Sequence, residues 1–272
     1  MVSPDGYWRW DGTNWVPNTT APAAAQPPTT SPDGLWMWNG AQWVPNTYQA
    51  VAPYASADLR ATLTTIFIAI NVVGVLLFIA FDILDATNIS QGDPQEGGLY
   101  FAAGATAFLS LITYYGSFIA AVVFFCMWLH RIVRNMPSLG APDPSFSPTV
   151  AVVLSFVPFM NLVQPLLSII DAWRASPTDR RWLDRSARRS VRIPILIVGW
   201  WAAWLISRLV TWAGALVSIS NGGEGYKIAG LVIDAVGDVL LIAAAALAIL
   251  VVRRLTARQD ARNQLIVSGQ IA

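Results

Sequence analysis

Four long apolar stretches constrain the fold of this chain more than any other feature. An α-helix rises about 1.5 Å per residue, so roughly twenty residues are needed to cross about 30 Å of hydrocarbon. The stretches that meet this length are Ala61 to Leu84, Ala105 to Leu129, Ile195 to Ile219 and Ile228 to Val252. Charged residues make up only 12% of the 272 residues, against about a quarter in water-soluble domains. The sequence therefore predicts an all-α membrane protein with four transmembrane helices.

A fifth apolar stretch, Val150 to Ile170, differs from the other four. It contains Pro158 and Pro165, with Asn161 and Gln164 between them. Each proline inside a regular helix removes a backbone hydrogen bond and costs on the order of 3 kcal/mol. We therefore expect a re-entrant or Pro-kinked segment that turns at Pro158, with its irregular backbone shielded by neighbouring helices.

The distribution of charge indicates the topology. The loop between the first two spans carries acidic residues and no Lys or Arg, whereas arginines flank the fifth stretch and follow the last span. Cytoplasmic loops carry the excess of Lys and Arg. A re-entrant fifth segment places nearly all of these residues on one side, which predicts a cell-membrane protein with both termini in the cytoplasm. Five full spans, with the N-terminus outside, remain the alternative.

Two Trp-rich repeats precede the apolar region. Ser3 to Asn18 reads SPDGYWRWDGTNWVPN, and Ser31 to Asn46 reads SPDGLWMWNGAQWVPN. Asp11-Gly12 and Asn39-Gly40 lie between short aromatic runs and suit a two-residue type I′ turn, in which both residues need positive φ. Each repeat is therefore predicted to be a small β-hairpin.

The predicted hairpin register places three indoles on one face of each repeat, with Trp8 opposite Trp15 and Trp10 beside them. The candidate interaction residues are Trp8, Trp10, Trp15, Trp36, Trp38 and Trp43. The indoles could hold the hairpins together, rest on lipid headgroups, or bind a protein or glycan partner. The repeats resemble a short Trp-rich module, of unknown function, at the N-termini of actinobacterial membrane proteins.

These features divide the chain into six parts. The parts are hairpin repeat 1 (1–18), a Pro/Ala/Thr linker (19–30), hairpin repeat 2 (31–46), a second linker (47–60), a multi-pass membrane domain (61–258) and a C-terminal tail (259–272). The linkers lack apolar periodicity, so the hairpins are expected to be tethered rather than packed.

Charged and amide side chains inside the predicted spans form a further candidate site. Arg208 and Asp238 lie at matching depths of an antiparallel helix pair, and Asp234 is one helical turn from Asp238. An unpaired Arg at the centre of a span costs roughly 2.5 to 3.5 kcal/mol, so an ion pair is expected. Asn71 and Asn161 could line the same polar interior or bond between helices. A structural pair is the simpler interpretation, and a proton or ion pathway is the alternative.

Enzymatic and cofactor chemistry has little support in the sequence. His130 and Cys126 are the only histidine and cysteine, and no cluster has the spacing of a metal site. A basic amphipathic helix predicted over Ser176 to Arg192 suits an anionic membrane surface. No base-reading motif accompanies this charge, so nucleic acid is not an expected partner. We expect no enzyme activity and no cofactor, with membrane lipid as a partner.

The stretch around the fifth segment resembles a known family. It contains a W-x-x-R-x-x-x-N helix end, a Ser-Pro pair and the pattern F-[IV]-P-x-x-N-L-x-x-P, followed by a tryptophan. The matching residues are Trp128, Arg131, Asn135, Ser147, Pro148, Phe156, Val157, Pro158, Asn161, Leu162, Pro165 and Trp173. This spacing is similar to that of the actinobacterial membrane proteins grouped as domain-of-unknown-function family 4328, over most of Ala61 to Arg258. Leu166 replaces the usual aromatic after the second proline. The resemblance implies a multi-pass membrane protein and adds no activity.

Together these observations predict a non-enzymatic interaction or scaffold protein that binds partners or lipid through its Trp hairpins and a basic cytoplasmic surface. The alternative is a small ion or proton channel or transporter that uses the polar residues within the spans. The oligomeric state, the substrate and the partner are not predicted.

Overall fold

The computed structural model describes most of the chain. The described residues are 2–3, 8–17, 31, 36–38, 42–45, 52–92, 97–141, 144–178, 189–220 and 222–270. They belong to two units, Met1–Val51 and Ala52–Ala272. The predicted turn at Asn39-Gly40, the first linker and residues 179–188 of the predicted basic helix lie outside the described residues.

The first unit contains two small antiparallel hairpins. Strand β1 (Trp8–Trp10) pairs with β2 (Trp15–Pro17), and β3 (Trp36–Trp38) pairs with β4 (Trp43–Pro45). Each sheet has two strands, so neither hairpin can bury a core of its own. The predicted β-hairpins are confirmed.

The register of the first hairpin differs from the prediction. Trp10, not Trp8, lies opposite Trp15, and Trp8 lies opposite Pro17. The connection is therefore the loop Asp11 to Asn14 rather than a two-residue turn, and of this loop only Gly12 has positive φ. The Asp11 carboxylate accepts hydrogen bonds of 2.8 Å from the backbone N–H groups of Asn14 and Thr13. These bonds lower the pKa of Asp11. They also explain why the longer loop forms, because the Asp11 side chain stabilises it by bonding to the backbone of the loop.

The second unit is helical. The helices of its described residues are α1 (Asp58–Ser90), α2 (Gly98–Arg134), α3 (Pro148–Val153), α4 (Gln164–Arg174), α5 (Ile195–Ser218) and α6 (Glu224–Val267). Four of them, α1, α2, α5 and α6, are long and apolar enough to cross a membrane, which confirms the prediction for the described residues. The predicted boundary between the membrane domain and the C-terminal tail, after residue 258, does not coincide with a helix end. Helix α6 continues through it to Val267.

The fifth apolar stretch is a helical hairpin and not a span. Helices α3 and α4 are separated by two 3₁₀ turns, Leu154–Phe156 and Met160–Leu162, with Pro158 in the turn between them. The N–H of Ser145, before α3, donates to the carboxylate of Asp171, near the end of α4, at 2.7 Å. Both ends of the hairpin therefore lie at the same end of the helix bundle. With 11 residues, α4 is about 16 Å long, half the thickness of the hydrocarbon core.

Small residues allow the long helices to approach closely. A Cβ atom on Gly74 of α1 would lie 2.7 Å from the backbone of Tyr114 in α2. A Cβ atom on Gly214 of α5 would lie 2.8 Å from the carbonyl oxygen of Gly230 in α6. Such contacts are typical of helix pairs in membranes, where small residues let the backbones meet. The bundle is therefore built from two tight pairs, α1 with α2 and α5 with α6.

Candidate functional site

Buried polar side chains join the helices at one end of the bundle, where α1 begins and α2 and α6 approach it. We call this the basic end. The indole N–H of Trp128 in α2 donates to the hydroxyl of Thr256 in α6 at 2.9 Å, and Trp128 is fully buried. The Asn135 amide donates to the carbonyl of Ala55 at 2.9 Å and to the Gln259 side chain at 3.2 Å. Two residues of the family motif thus tie α2 to α6 and to the segment before α1.

A second set of contacts extends this junction along α6. Arg262 is fully buried and donates to the carbonyl of Leu139 at 3.4 Å. The Tyr54 hydroxyl donates to Asp260 at 2.7 Å. Burial, and then the hydrogen bond to Asp260 and its negative charge, raise the pKa of Tyr54 above its ordinary value. Tyr54 therefore remains a hydrogen-bond donor at physiological pH.

Four further motif residues shape the re-entrant hairpin. Ser147 caps α3 by accepting a hydrogen bond from the N–H of Val150, and Pro148 begins that helix. Pro165 lies in the first turn of α4, where a missing N–H costs little. Trp173 at the end of α4 lies 4.3 Å below the guanidinium of Arg258 in α6. These four motif residues therefore start the two short helices and anchor the end of α4.

A group of basic side chains lies on α1 and α2 at the basic end. Arg131 interacts electrostatically with Arg60 and Arg134, and all three arginines interact electrostatically with His130. Within the described part of the chain none of these four residues forms an ion pair with a carboxylate. We call Arg60, Arg131 and Arg134 the cationic cluster.

Three of the five predicted polar residues share one interior cavity. Asn71 of α1, Asn161 of the hairpin and Arg208 of α5 line a cavity of about 360 Å³ between the hairpin and the long helices. The Asn71 amide donates to the Tyr114 carbonyl at 2.9 Å and to the Ser117 hydroxyl at 3.1 Å. Asn71 therefore joins α1 to α2, as the interhelical interpretation predicts.

Arg208 does not form the predicted ion pair. It interacts electrostatically with Asp234 and Asp238, but no salt bridge joins these described residues. Its guanidinium approaches the Tyr114 hydroxyl instead, with 3.5 Å between Nη1 and the oxygen. The matching depths of Arg208 and Asp238 bring their charges near each other. Depth alone does not fix the direction in which each side chain leaves its helix.

Several residues of these sites are not identified from the sequence. Asp82 falls within the predicted first span, yet it is not among the predicted polar residues; it is buried in α1 and interacts electrostatically with Asp234 and Asp238. Gln259 falls in the predicted tail, yet its amide donates to the Ile132 carbonyl at 2.9 Å. A continuous helical pattern through Gln259 is the signal that could have placed it in α6.

The first hairpin presents its indoles to solvent. Trp8, Trp10 and Trp15 are each at least 40% exposed. The Trp10 and Trp15 rings meet edge to face with centroids 5.6 Å apart, and Trp38 and Trp43 repeat this contact at 5.7 Å. Each cross-strand pair stabilises its hairpin while one side of the indoles stays uncovered.

Four membrane-spanning helices around a half-depth hairpin define a multi-pass membrane protein. The chain belongs to the family described as Domain of unknown function (DUF4328), whose family model matches residues 96–257. The match begins just before α2 and ends within α6, so it includes the hairpin and all three motif prolines. No curated protein and no solved structure matches the chain.

Proposed function

We propose that this protein is a non-enzymatic membrane interaction protein whose basic end binds anionic lipid headgroups. The cationic cluster carries this proposal, because it concentrates positive charge without an acidic partner among the described residues. The guanidinium group is planar and suits bidentate contact with phosphate oxygens. An external phosphate would supply the missing negative charge.

The carboxylates near the basic end have other partners. Asp58 lies 3.7 Å from Arg253, Asp260 accepts from Tyr54, and Asp171 accepts from the backbone of Ser145. None of these carboxylates neutralises the cationic cluster. A basic residue near an anionic leaflet contributes about 1 kcal/mol, so each arginine is expected to add about fivefold in affinity.

Neutralising one arginine of the cluster is expected to weaken the binding of phosphatidylglycerol by about fivefold. The variants are Arg60→Gln, Arg131→Gln and Arg134→Gln, measured singly in nanodiscs with a fluorescent phosphatidylglycerol. Lys227→Gln removes one positive charge near the start of α6 and is the matched control. Added salt should weaken the wild-type binding, because exposed charges are screened. Equal affinity in all four variants would contradict the proposal.

We also propose that the protein lies in the cell membrane with its basic end and both termini in the cytoplasm. The positive-inside rule supports this orientation, because the loops at the basic end hold most of the arginines. The exposed indoles would then meet cytosolic protein partners. With the opposite orientation they would be candidates for binding cell-wall glycan.

In a Cys126→Ala background, an impermeant maleimide applied to intact cells is expected to label Gln91→Cys and to leave Ala24→Cys unlabelled. Gln91 follows α1 at the end of the bundle opposite the basic end, and Ala24 precedes the second repeat. Permeabilised cells should label both positions, which controls for reactivity. Labelling of Ala24→Cys with protection of Gln91→Cys would reverse the proposed orientation.

The alternative function, a small ion or proton channel or transporter, draws support from Asn71, Asn161 and Arg208 lining one cavity. Asp234 and Asp238 are not among the residues that line it. We therefore favour binding over transport.

A further inference from the structure

The interior cavity lies between two contacts that join α2 to α5. Phe125 and Trp200 meet at one of them, with ring centroids 6.4 Å apart. Tyr114 and Arg208 meet at the other. Trp200 and Arg208 are eight residues apart in α5, so the space between the contacts is about 12 Å long. Its volume of about 360 Å³ falls within the roughly 300–1,000 Å³ of small-molecule sites.

Aromatic rings form two of the cavity walls. On α2, the rings of Tyr114 and Phe118 are parallel, with an interplanar angle of 4°. On α5, the indoles of Trp201 and Trp204 stack with centroids 4.9 Å apart. Flat rings pack well against such walls by offset or edge-to-face contacts. A planar ring therefore suits this cavity better than a branched aliphatic group.

The hairpin tip borders the cavity and contributes a polar group. The Trp201 indole donates to the Leu162 carbonyl at 2.9 Å, which holds the tip against α5. The Asn161 side chain lines the cavity and makes no hydrogen bond within the described part of the protein. Phe156 also lines the cavity and is 63% exposed, so the cavity reaches the surface beside the hairpin.

Arg208 supplies further donors. A guanidinium has five N–H donors, and Arg208 uses one of them, at 3.5 Å, on the Tyr114 hydroxyl. Its Nε atom is buried without a hydrogen-bond partner in the described residues. The cavity thus combines spare donors from Arg208 and Asn161 with apolar walls, and a ligand with an acceptor oxygen would satisfy them.

The charge around Arg208 argues against an anionic ligand. Asp234 and Asp238 interact electrostatically with the guanidinium, and Asp82 interacts with both aspartates. A phosphate or carboxylate would add negative charge to a region that already holds three carboxyl groups. An uncharged carbonyl oxygen accepts the same hydrogen bonds without that repulsion.

We propose that this cavity is a binding site for an uncharged, membrane-soluble molecule with a flat carbonyl-bearing ring, of the chemical class of the quinones. The ring would lie between the aromatic walls of α2 and α5, and a carbonyl oxygen would accept from Asn161 or Arg208. The ligand would enter from the bilayer beside Phe156. This site is separate from the cationic cluster, and its failure would leave the proposed lipid-headgroup binding intact.

The test measures binding of menadione, a naphthoquinone without a side chain, by the full chain in nanodiscs. Binding to the folded state alone raises the unfolding temperature, so the shift in Tm with menadione concentration reports affinity. Ala245→Phe places a ring in the cavity, whereas Ala246→Phe places the same ring at an exposed position of the same helix. Asn161→Leu removes the hairpin's donor.

Wild type and Ala246→Phe are expected to show the same rise in Tm. Ala245→Phe should weaken menadione binding at least tenfold, and Asn161→Leu by about fivefold, as expected for one hydrogen bond. A medium-chain monoacylglycerol, which carries a carbonyl without a ring, should bind more weakly than menadione. Preference for the monoacylglycerol would overturn the ring assignment. The absence of a Tm shift in wild type would overturn the site. Equal shifts in Ala245→Phe and Ala246→Phe would also overturn it when both variants unfold like wild type without ligand.

Discussion

Replacing Trp128 with alanine is expected to lower the free energy of unfolding by about 3–5 kcal/mol, the loss typical of a large aromatic side chain removed from a core. Trp128 is completely buried, so its removal leaves a cavity between α2 and α6 that the surrounding helices can fill only in part. The Thr256 hydroxyl would keep its bond of 2.8 Å to the Val252 carbonyl, so the loss arises mainly from packing. Thermal and denaturant unfolding of the purified protein in detergent would measure it.

Trp212→Ala is the matched control for this prediction. Trp212 lies in α5 and is 66% exposed, so its removal should change the free energy of unfolding by no more than about 0.5 kcal/mol. Similar losses in the two variants would mean that Trp128 does not hold the basic end together.

Substituting alanine for Gly214 should also destabilise the protein, by about 1–3 kcal/mol. The added Cβ would lie 2.8 Å from the Gly230 oxygen and 2.9 Å from the Asp234 nitrogen. Both are backbone atoms, so neither can rotate away and α5 must separate from α6. Unfolding followed by circular dichroism would report the loss.

The same substitution at Gly199 of α5 tests the cause. A Cβ atom there meets nothing within 4 Å, and alanine favours the helix over glycine by about 1 kcal/mol. Gly199→Ala is therefore expected to be neutral or stabilising, the opposite sign to Gly214→Ala. Destabilisation of equal size at both positions would show that the close helix approach is not the reason.

Membrane physics made the long helices predictable. The hydrocarbon thickness sets a minimum apolar length, and α1, α2, α5 and α6 each contain a stretch that meets it. Pro158 and Pro165 were informative for a related reason. A lipid-exposed span must satisfy its own backbone hydrogen bonds, so two prolines in one short segment predict a break. The structure places this break at the turn that contains Pro158.

Features that depend on side-chain direction were harder to predict from the sequence. Asp11-Gly12 is compatible with a two-residue turn, but the Asp11 carboxylate can also order a longer loop, and the longer loop shifts the register. The Arg208 and Asp238 positions agree in depth, yet rotation about each helix axis decides whether they touch. The bond between Asn135 and Gln259 joins residues far apart in sequence, and no local pattern specifies such a pair.

The half-depth of the re-entrant hairpin also has a consequence for the surrounding lipid. In the half of the bilayer nearer the basic end, α3 and α4 occupy area beside the four long helices, whereas in the other half, among the described helices, only the long ones do. The membrane domain therefore displaces more lipid from one leaflet than from the other. Inserting many copies would expand the two leaflets unequally, and a bilayer relieves such an area difference by bending.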